Sequence, residues 1–278
     1  MTGNIKINEP PPRPQIGPPG KSLKYNVKHT ILVMSGKGGV GKSTFSTNLA
    51  VTLASQGLKV GLLDADISGP DDAKILGIEN EKIYGDENGK ILPVETKYGV
   101  NVISMAMTLP TFDTPVIWRG SIRHKALQQF LEDVKWDGRD LLVIDLPPGT
   151  GDEPLSICQM IPNADGIIIV ITPQDVALLD AKKAINFARK VNIPILGIVE
   201  NMSGFICPHC GYETDIFKKG GAEKIAQEYN IPYLGNIPLM PEIVEDSDAG
   251  IPAVSKNEKL MEFFKKVSEN LLKNLKND

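Results

Sequence analysis

Thr30-Ile31-Leu32-Val33-Met34-Ser35-Gly36-Lys37-Gly38-Gly39-Val40-Gly41-Lys42-Ser43-Thr44 passes from a short apolar run into a glycine-rich turn that carries two lysines. From Ser43 to Ala54 apolar residues recur at helical spacing, so the stretch reads as strand, loop and helix. A phosphate-binding loop needs that setting. Gly36, Gly38, Gly39 and Gly41 let backbone N–H groups turn inward around phosphate oxygens, and the positive end of the following helix points at the same anion. Lys42 is expected to reach the β- and γ-phosphates, and Ser43 to ligate Mg²⁺. The run from Gly36 to Thr44, including Lys37 and Val40, is the expected nucleotide cradle.

Working outward, strand-like runs alternate with helix-like ones. Lys59 to Leu63, Asp140 to Asp145, Gly166 to Thr172, Pro194 to Glu200 and Tyr233 to Ile237 are nearly continuous apolar segments, the pattern of parallel strands buried on both faces. Helices fit at Arg119 to Val134, Asp175 to Lys190, Gly220 to Tyr229 and Asn257 to Lys276. Turn signals at Gly85, Asn88-Gly89 and Tyr98-Gly99 make Ile83 to Met105 a small β excursion. The fold class is α/β, a doubly wound, mostly parallel sheet with its ligand at the carboxyl ends of the strands. Residues 1–27 contain Pro10, Pro11, Pro12, Pro14, Pro18 and Pro19 and read as an extended tail; residues 28–278 read as one P-loop domain.

The 278 residues are 41% hydrophobic, enough for one large α/β core. A net charge of -4 gives no general attraction to nucleic acid, so no such partner is expected. No apolar stretch has the length of a membrane span and no apolar signal core stands near the start, so a cytoplasmic protein is expected. Three cysteines do not make a disulfide scaffold.

Two further segments belong at the ligand edge. Asp64-Ala65-Asp66 follows the second strand, where Asp64 suits the Mg²⁺ shell and Asp66 the orientation of an attacking water. Asp145-Leu146-Pro147-Pro148-Gly149-Thr150-Gly151-Asp152 follows another apolar strand. Asp145 fits the carboxylate that holds Mg²⁺, and Gly149 could offer its N–H to the γ-phosphate. The last candidate is Cys207-Pro208-His209-Cys210-Gly211, in a loop where both sulfurs can point at one centre. A [4Fe-4S] cluster takes four thiolates and structural zinc takes four N or S ligands, so two cysteines require a second copy of the loop. A bridging cluster, a bridging zinc and a metal-free thiol pair all fit the spacing. Cys158, at helical spacing with Leu155 and Ile161, reads as a buried thiol.

The lysine-bearing P-loop, the Asp64-Ala65-Asp66 switch and the Asp145 to Asp152 run resemble the deviant Walker A ATPases, which include MinD, ParA and the nitrogenase iron protein. Trp118-Arg119-Gly120, the DLPPGTGD run and Cys207-Pro208-His209-Cys210 narrow the resemblance to the Mrp/ApbC/Nbp iron–sulfur cluster carriers. It implies a homodimer in which Lys37 reaches the partner's phosphates, with Lys37, Lys42 and Asp66 serving hydrolysis. It further implies ATP with Mg²⁺, a [4Fe-4S] cluster held by Cys207 and Cys210 between two chains, slow hydrolysis, a cluster donor and apo acceptor proteins. Asn201 and Pro238, the latter in the Ile237-Pro238-Leu239 turn, would contact adenine. Asp71 stands where many relatives carry serine and Ser121 where proline is common. The alternative is a MinD-like regulatory ATPase that associates with membranes. The apolar face Leu260, Phe263, Phe264, Val267, Leu271 and Leu275 could serve it, although docking on the sheet uses the same pattern.

Overall fold

The computed structural model describes residues 26–67, 69–108 and 120–275. The proline-rich tail up to residue 25, Trp118, Arg119 and Lys276 lie outside them.

The glycine-rich turn joins strand β1 (Val27–Met34) to helix α1 (Lys42–Ser55). Then come β2 (Val60–Asp64), a single turn α2 (Asp72–Ile75), and a hairpin of β3 (Tyr84–Gly85) and β4 (Ile91–Leu92). The chain continues through β5 (Val94–Glu95), β6 (Val100–Ser104), α3 (Gly120–Glu132), β7 (Arg139–Asp145) and α4 (Asp152–Met160). Next are β8 (Gly166–Ile171), α5 (Asp175–Lys190), β9 (Ile195–Glu200), and a second hairpin of β10 (Phe205–Ile206) and β11 (Glu213–Thr214). The last elements are α6 (Gly221–Tyr229), β12 (Tyr233–Asn236), α7 (Pro241–Asp248) and α8 (Glu258–Leu275).

Eight strands form one sheet in the order β12-β9-β8-β1-β7-β2-β6-β5. All neighbours are parallel except β5, which runs antiparallel on the edge. Alternation along β1 explains the burial of both faces: Leu32 and Met34 join one core with α3 to α6, while Ile31 and Val33 join the other with α1 and α8. The order reverses at β1, which lies between β7 and β8. The loops after β1, β2, β7 and β9 therefore converge at one crevice.

The expected β excursion at Ile83 to Met105 needs correction. Its last part, Val100–Ser104, is a central-sheet strand paired in parallel with β2, because Val100, Val102 and Ile103 are fully buried. Helices α2, α4 and α7 add to those expected. The four-residue α2 is too short for a helical period to show, and Pro154 and Pro241 obscure the patterns of α4 and α7. The last helix docks on the sheet: Leu260, Phe264, Val267 and Leu271 are buried, and the Phe264 ring stacks on Phe45 at 5.8 Å between centroids. Among the described residues no helix is long and apolar enough to cross a membrane.

Candidate nucleotide site and cysteine hairpin

A cavity of about 410 Å³ opens at the carboxyl edge of the sheet, lined by Lys37 to Thr44 with Asp66, Asn201, Pro238 and one face of α7. The turn around it is sterically committed. Gly41 has φ of 78°, and a Cβ there would stand 2.3 Å from the Asn201 Nδ2; a Cβ on Gly36 would stand 2.2 Å from the Asp180 carbonyl of α5. Asn201 Nδ2 donates to the Val40 carbonyl (2.8 Å), fastening the end of β9 to the P-loop. Ser35 Oγ donates to the Lys37 carbonyl (2.8 Å), and the Gly149 N–H donates to the Ser35 carbonyl (2.9 Å). The Gly149 N–H, expected at the γ-phosphate, thus braces the P-loop.

Asp145 is the centre of the floor. Fully buried at the end of β7, it accepts Lys42 Nζ (2.5 Å) and Ser43 Oγ (2.8 Å) on Oδ2, and Ser46 Oγ (2.5 Å) on Oδ1. Burial, the largest single influence, would lower the Lys42 pKa, yet the carboxylates of Asp145, Asp72 and Asp64 together outweigh burial and raise it. Asp64, at the end of the neighbouring β2, accepts the Ser104 hydroxyl (2.9 Å) and the Asp66 N–H (3.1 Å). Its pKa is raised, first by burial and then by Asp145. Asp66 lines the cavity and accepts the Gly69 N–H (3.1 Å).

Asp64, Asp72 and Asp145 bring carboxylate oxygens within 4.8 Å of one another. This is the donor set a hard divalent cation takes, with the Ser43 hydroxyl beside it. Sequence reading found Asp64, Asp145 and Ser43 and missed Asp72 and Ser46. Ser46 carries a signal, standing one helical turn beyond Ser43.

The cysteine pair sits on the β10–β11 hairpin. Cys207 N–H donates to the Tyr212 carbonyl (3.0 Å), and Gly211, at φ of 69°, returns its N–H to the Cys207 carbonyl (2.9 Å). Cys207 is half-buried and Cys210 exposed. The Cys207 thiol pKa is lowered by the backbone N–H of Cys210, then that of His209, then the Cys210 thiol. By contrast, burial pushes the Cys158 thiol up to about 12.

Glu200, also missed, ties this hairpin down. Fully buried at the end of β9, it accepts Ser203 Oγ (2.5 Å) and the Gly220 N–H (2.8 Å) on one oxygen, and the Ala222 N–H (2.8 Å) on the other. Both roots of the excursion are held by one carboxylate. The Leu239 N–H donates to the Gly204 carbonyl (2.8 Å), and Leu239 also lines the nucleotide cavity. The two sites share a hydrogen-bonded frame.

A model of the ParA family, described as the NUBPL iron-transfer P-loop NTPase, matches residues 26–273. The iron-sulfur cluster carrier protein of Methanocaldococcus jannaschii is 51% identical over 246 residues, 88% of this chain and 84% of that protein. The cytosolic Fe-S cluster assembly factor CFD1 of Candida glabrata is 47% identical, over 82% of each chain. Among solved structures, the nucleotide-binding protein of Archaeoglobus fulgidus in complex with ADP aligns with TM-score 0.74 and 38% identity, over 86% of this chain and 92% of that one. The Pyrococcus furiosus cell division ATPase MinD aligns with TM-score 0.63 at 24% identity, over 88% and 99%, a likeness of fold.

Proposed function

The chain belongs to the iron-transfer P-loop NTPase family, and from that premise we propose that it is an ATP-hydrolysing carrier of iron–sulfur clusters. Its cargo is a [4Fe-4S] cluster held by Cys207 and Cys210 of two copies and handed to apo acceptor proteins. One observation carries this reading: the cysteine hairpin and the nucleotide cavity are joined by two hydrogen-bonded junctions, Asn201 after β9 to Val40 of the P-loop and Leu239 at the cavity to Gly204 at the hairpin root.

Phosphates enter the Gly36 to Thr44 cradle, where backbone N–H groups and the α1 N-terminus receive them. Lys42 leaves Asp145 for the β- and γ-phosphates. Asp145, with Ser43 and Asp64, would hold Mg²⁺, which when bound neutralises charge developing on the phosphates. Asp66 orients water at the cavity wall, and Lys37 reaches the partner's nucleotide. Asn201 and Pro238 contact the base, so nucleotide occupancy presses on the segments that root the hairpin.

Among the described residues no third His, Cys, Asp or Glu gathers with Cys207 and Cys210 into a ligand group, which supports a site completed by a second copy. Val176 and Leu179 on α5, the helix that abuts Gly36 of the P-loop, and Tyr212 and Ile216 on the cysteine excursion are exposed apolar side chains, and supply surface for that pairing. The docked α8 leaves the MinD-like membrane reading without its apolar face.

The test is iron, zinc and acid-labile sulfide per chain after anaerobic reconstitution with iron and sulfide. About two iron and two sulfide per chain, lost in Cys207→Ser and Cys210→Ser while ADP binding is kept, is the expected result. About half a zinc per chain without sulfide would make the hairpin a dimer clasp and overturn the carrier reading.

A further inference from the structure

Asp72 heads α2, and both of its carboxylate oxygens are buried without a hydrogen-bond partner. The other two acids of the cluster are provided for: Asp145 by Lys42, Ser43 and Ser46, Asp64 by Ser104 and the Asp66 N–H. Around Asp72 the charged groups are Asp64, Asp145, Asp71 and Lys42. Three carboxylates thus face a single buried ammonium, which Asp145 already engages.

A buried acid that accepts nothing and faces two others costs folding free energy unless something else occupies the space between them. Helix capping does not explain it. Favourable interaction with a helix N-terminus needs no burial, and Asp71, exposed one residue earlier, already offers that charge. Nor does packing, since an apolar side chain would fill the same volume at no electrostatic cost. The trio is not sealed off: Lys42 and Ser43 touch Asp145 and line the nucleotide cavity, so it forms the floor beneath that cavity.

We propose that Asp72 is a cation-binding residue of this chain, the third carboxylate of a site with Asp64 and Asp145 that takes a divalent, oxygen-seeking cation without help from a nucleotide. The inference rests on the Mg²⁺ role given above to Asp64 and Asp145, and extends it in two respects. The donor set gains a residue outside the P-loop and the two strand-end aspartates. The cation's hold also becomes independent of the γ-phosphate, so it stays with the protein when nucleotide leaves.

Mn²⁺ is the probe, titrated by electron paramagnetic resonance into the full nucleotide-free chain. The wild type binds one Mn²⁺, and Asp72→Asn weakens it by roughly tenfold or more, because a hard cation's affinity follows the charge of its ligands. Asp71→Asn, with the same charge change at an exposed position, shifts it by less than about twofold. Two readouts separate this from misfolding: Asp72→Asn binds ADP in EDTA as the wild type does, and its cation-free Tm rises while the Mg²⁺-induced increase in Tm shrinks. Absence of Mn²⁺ binding by the nucleotide-free wild type overturns the inference. So does wild-type affinity in Asp72→Asn alongside loss in Asp145→Asn, an outcome that leaves the Mg²⁺ assignment standing. If Asp145→Asn is also silent, with or without ADP, the Mg²⁺ assignment itself falls.

Discussion

The P-loop floor and the cysteine hairpin both hang from carboxyl ends of parallel strands, yet they are built in opposite ways. At the floor, Asp145 alone collects three side-chain donors under full burial, and Asn201 and Gly149 brace the turn above it. The hairpin has two ordered β residues per strand, one half-buried and one exposed thiol, and a single buried carboxylate at its root. A floor whose buried hydrogen bonds are all made within one chain is set before its ligand arrives. The hairpin instead leaves its thiols accessible, which is what the proposed cluster site, with two of its four ligands drawn from a second copy, would need.

The sharpest way to break this contrast is Lys42→Ala. ATP hydrolysis falls by about 10²–10³-fold, as expected for removal of a charge that meets the developing phosphate charge. Iron retained after nucleotide-free reconstitution stays at the wild-type level; steady-state hydrolysis and iron analysis of one preparation check both. Glu200→Ala is next. It strands the Gly220 and Ala222 N–H groups and the Ser203 hydroxyl, and lowers stability by about 2–5 kcal/mol in denaturant titration. Hydrogen exchange then quickens across residues 203–222 more than across the P-loop; uniform quickening would mean that Glu200 anchors the whole sheet rather than the hairpin.

Gly41→Ala probes the other region. A side chain at φ of 78° costs about 1–2 kcal/mol and collides with Asn201, so ADP affinity drops while Cys207 and Cys210 still take up iron. The smallest effect is a difference of rate in the apoprotein. With its pKa lowered, Cys207 carries thiolate below the ordinary thiol range, and its alkylation by iodoacetamide rises at a lower pH than that of a free thiol. Cys158, pushed up to about 12 and buried, stays protonated at pH 8 and labels only after unfolding. Labelling of native Cys158 as fast as Cys207, followed by peptide mass spectrometry, would contradict the burial.

What was legible in the sequence is uneven for a physical reason. Six of the seven longer strands of the sheet show as apolar runs because β strands buried on both faces have little polar alternation to disguise them. Even so, Val100–Ser104 was assigned to a local excursion, since five residues beside a Gly99 turn read the same in a hairpin and in a central sheet. The P-loop was legible because its chemistry is contiguous. Asp72 and Glu200 were not, because each is an ordinary acid whose meaning lies in what faces it across the fold.

By itself the sequence determined the strand-loop-helix cradle, the parallel α/β core and the two-cysteine loop, all features whose residues are neighbours along the chain and so obey local periodicity and turn chemistry. The tertiary structure alone decided that β2 and β7 lie side by side, which sets Asp64 beside Asp145 in register and brings Asp72 over both. It also decided that Glu200 grips both ends of a twenty-residue excursion. Strand order is a property of long-range packing, which no local pattern encodes, and a buried charge acquires its role only from the groups that packing places within reach.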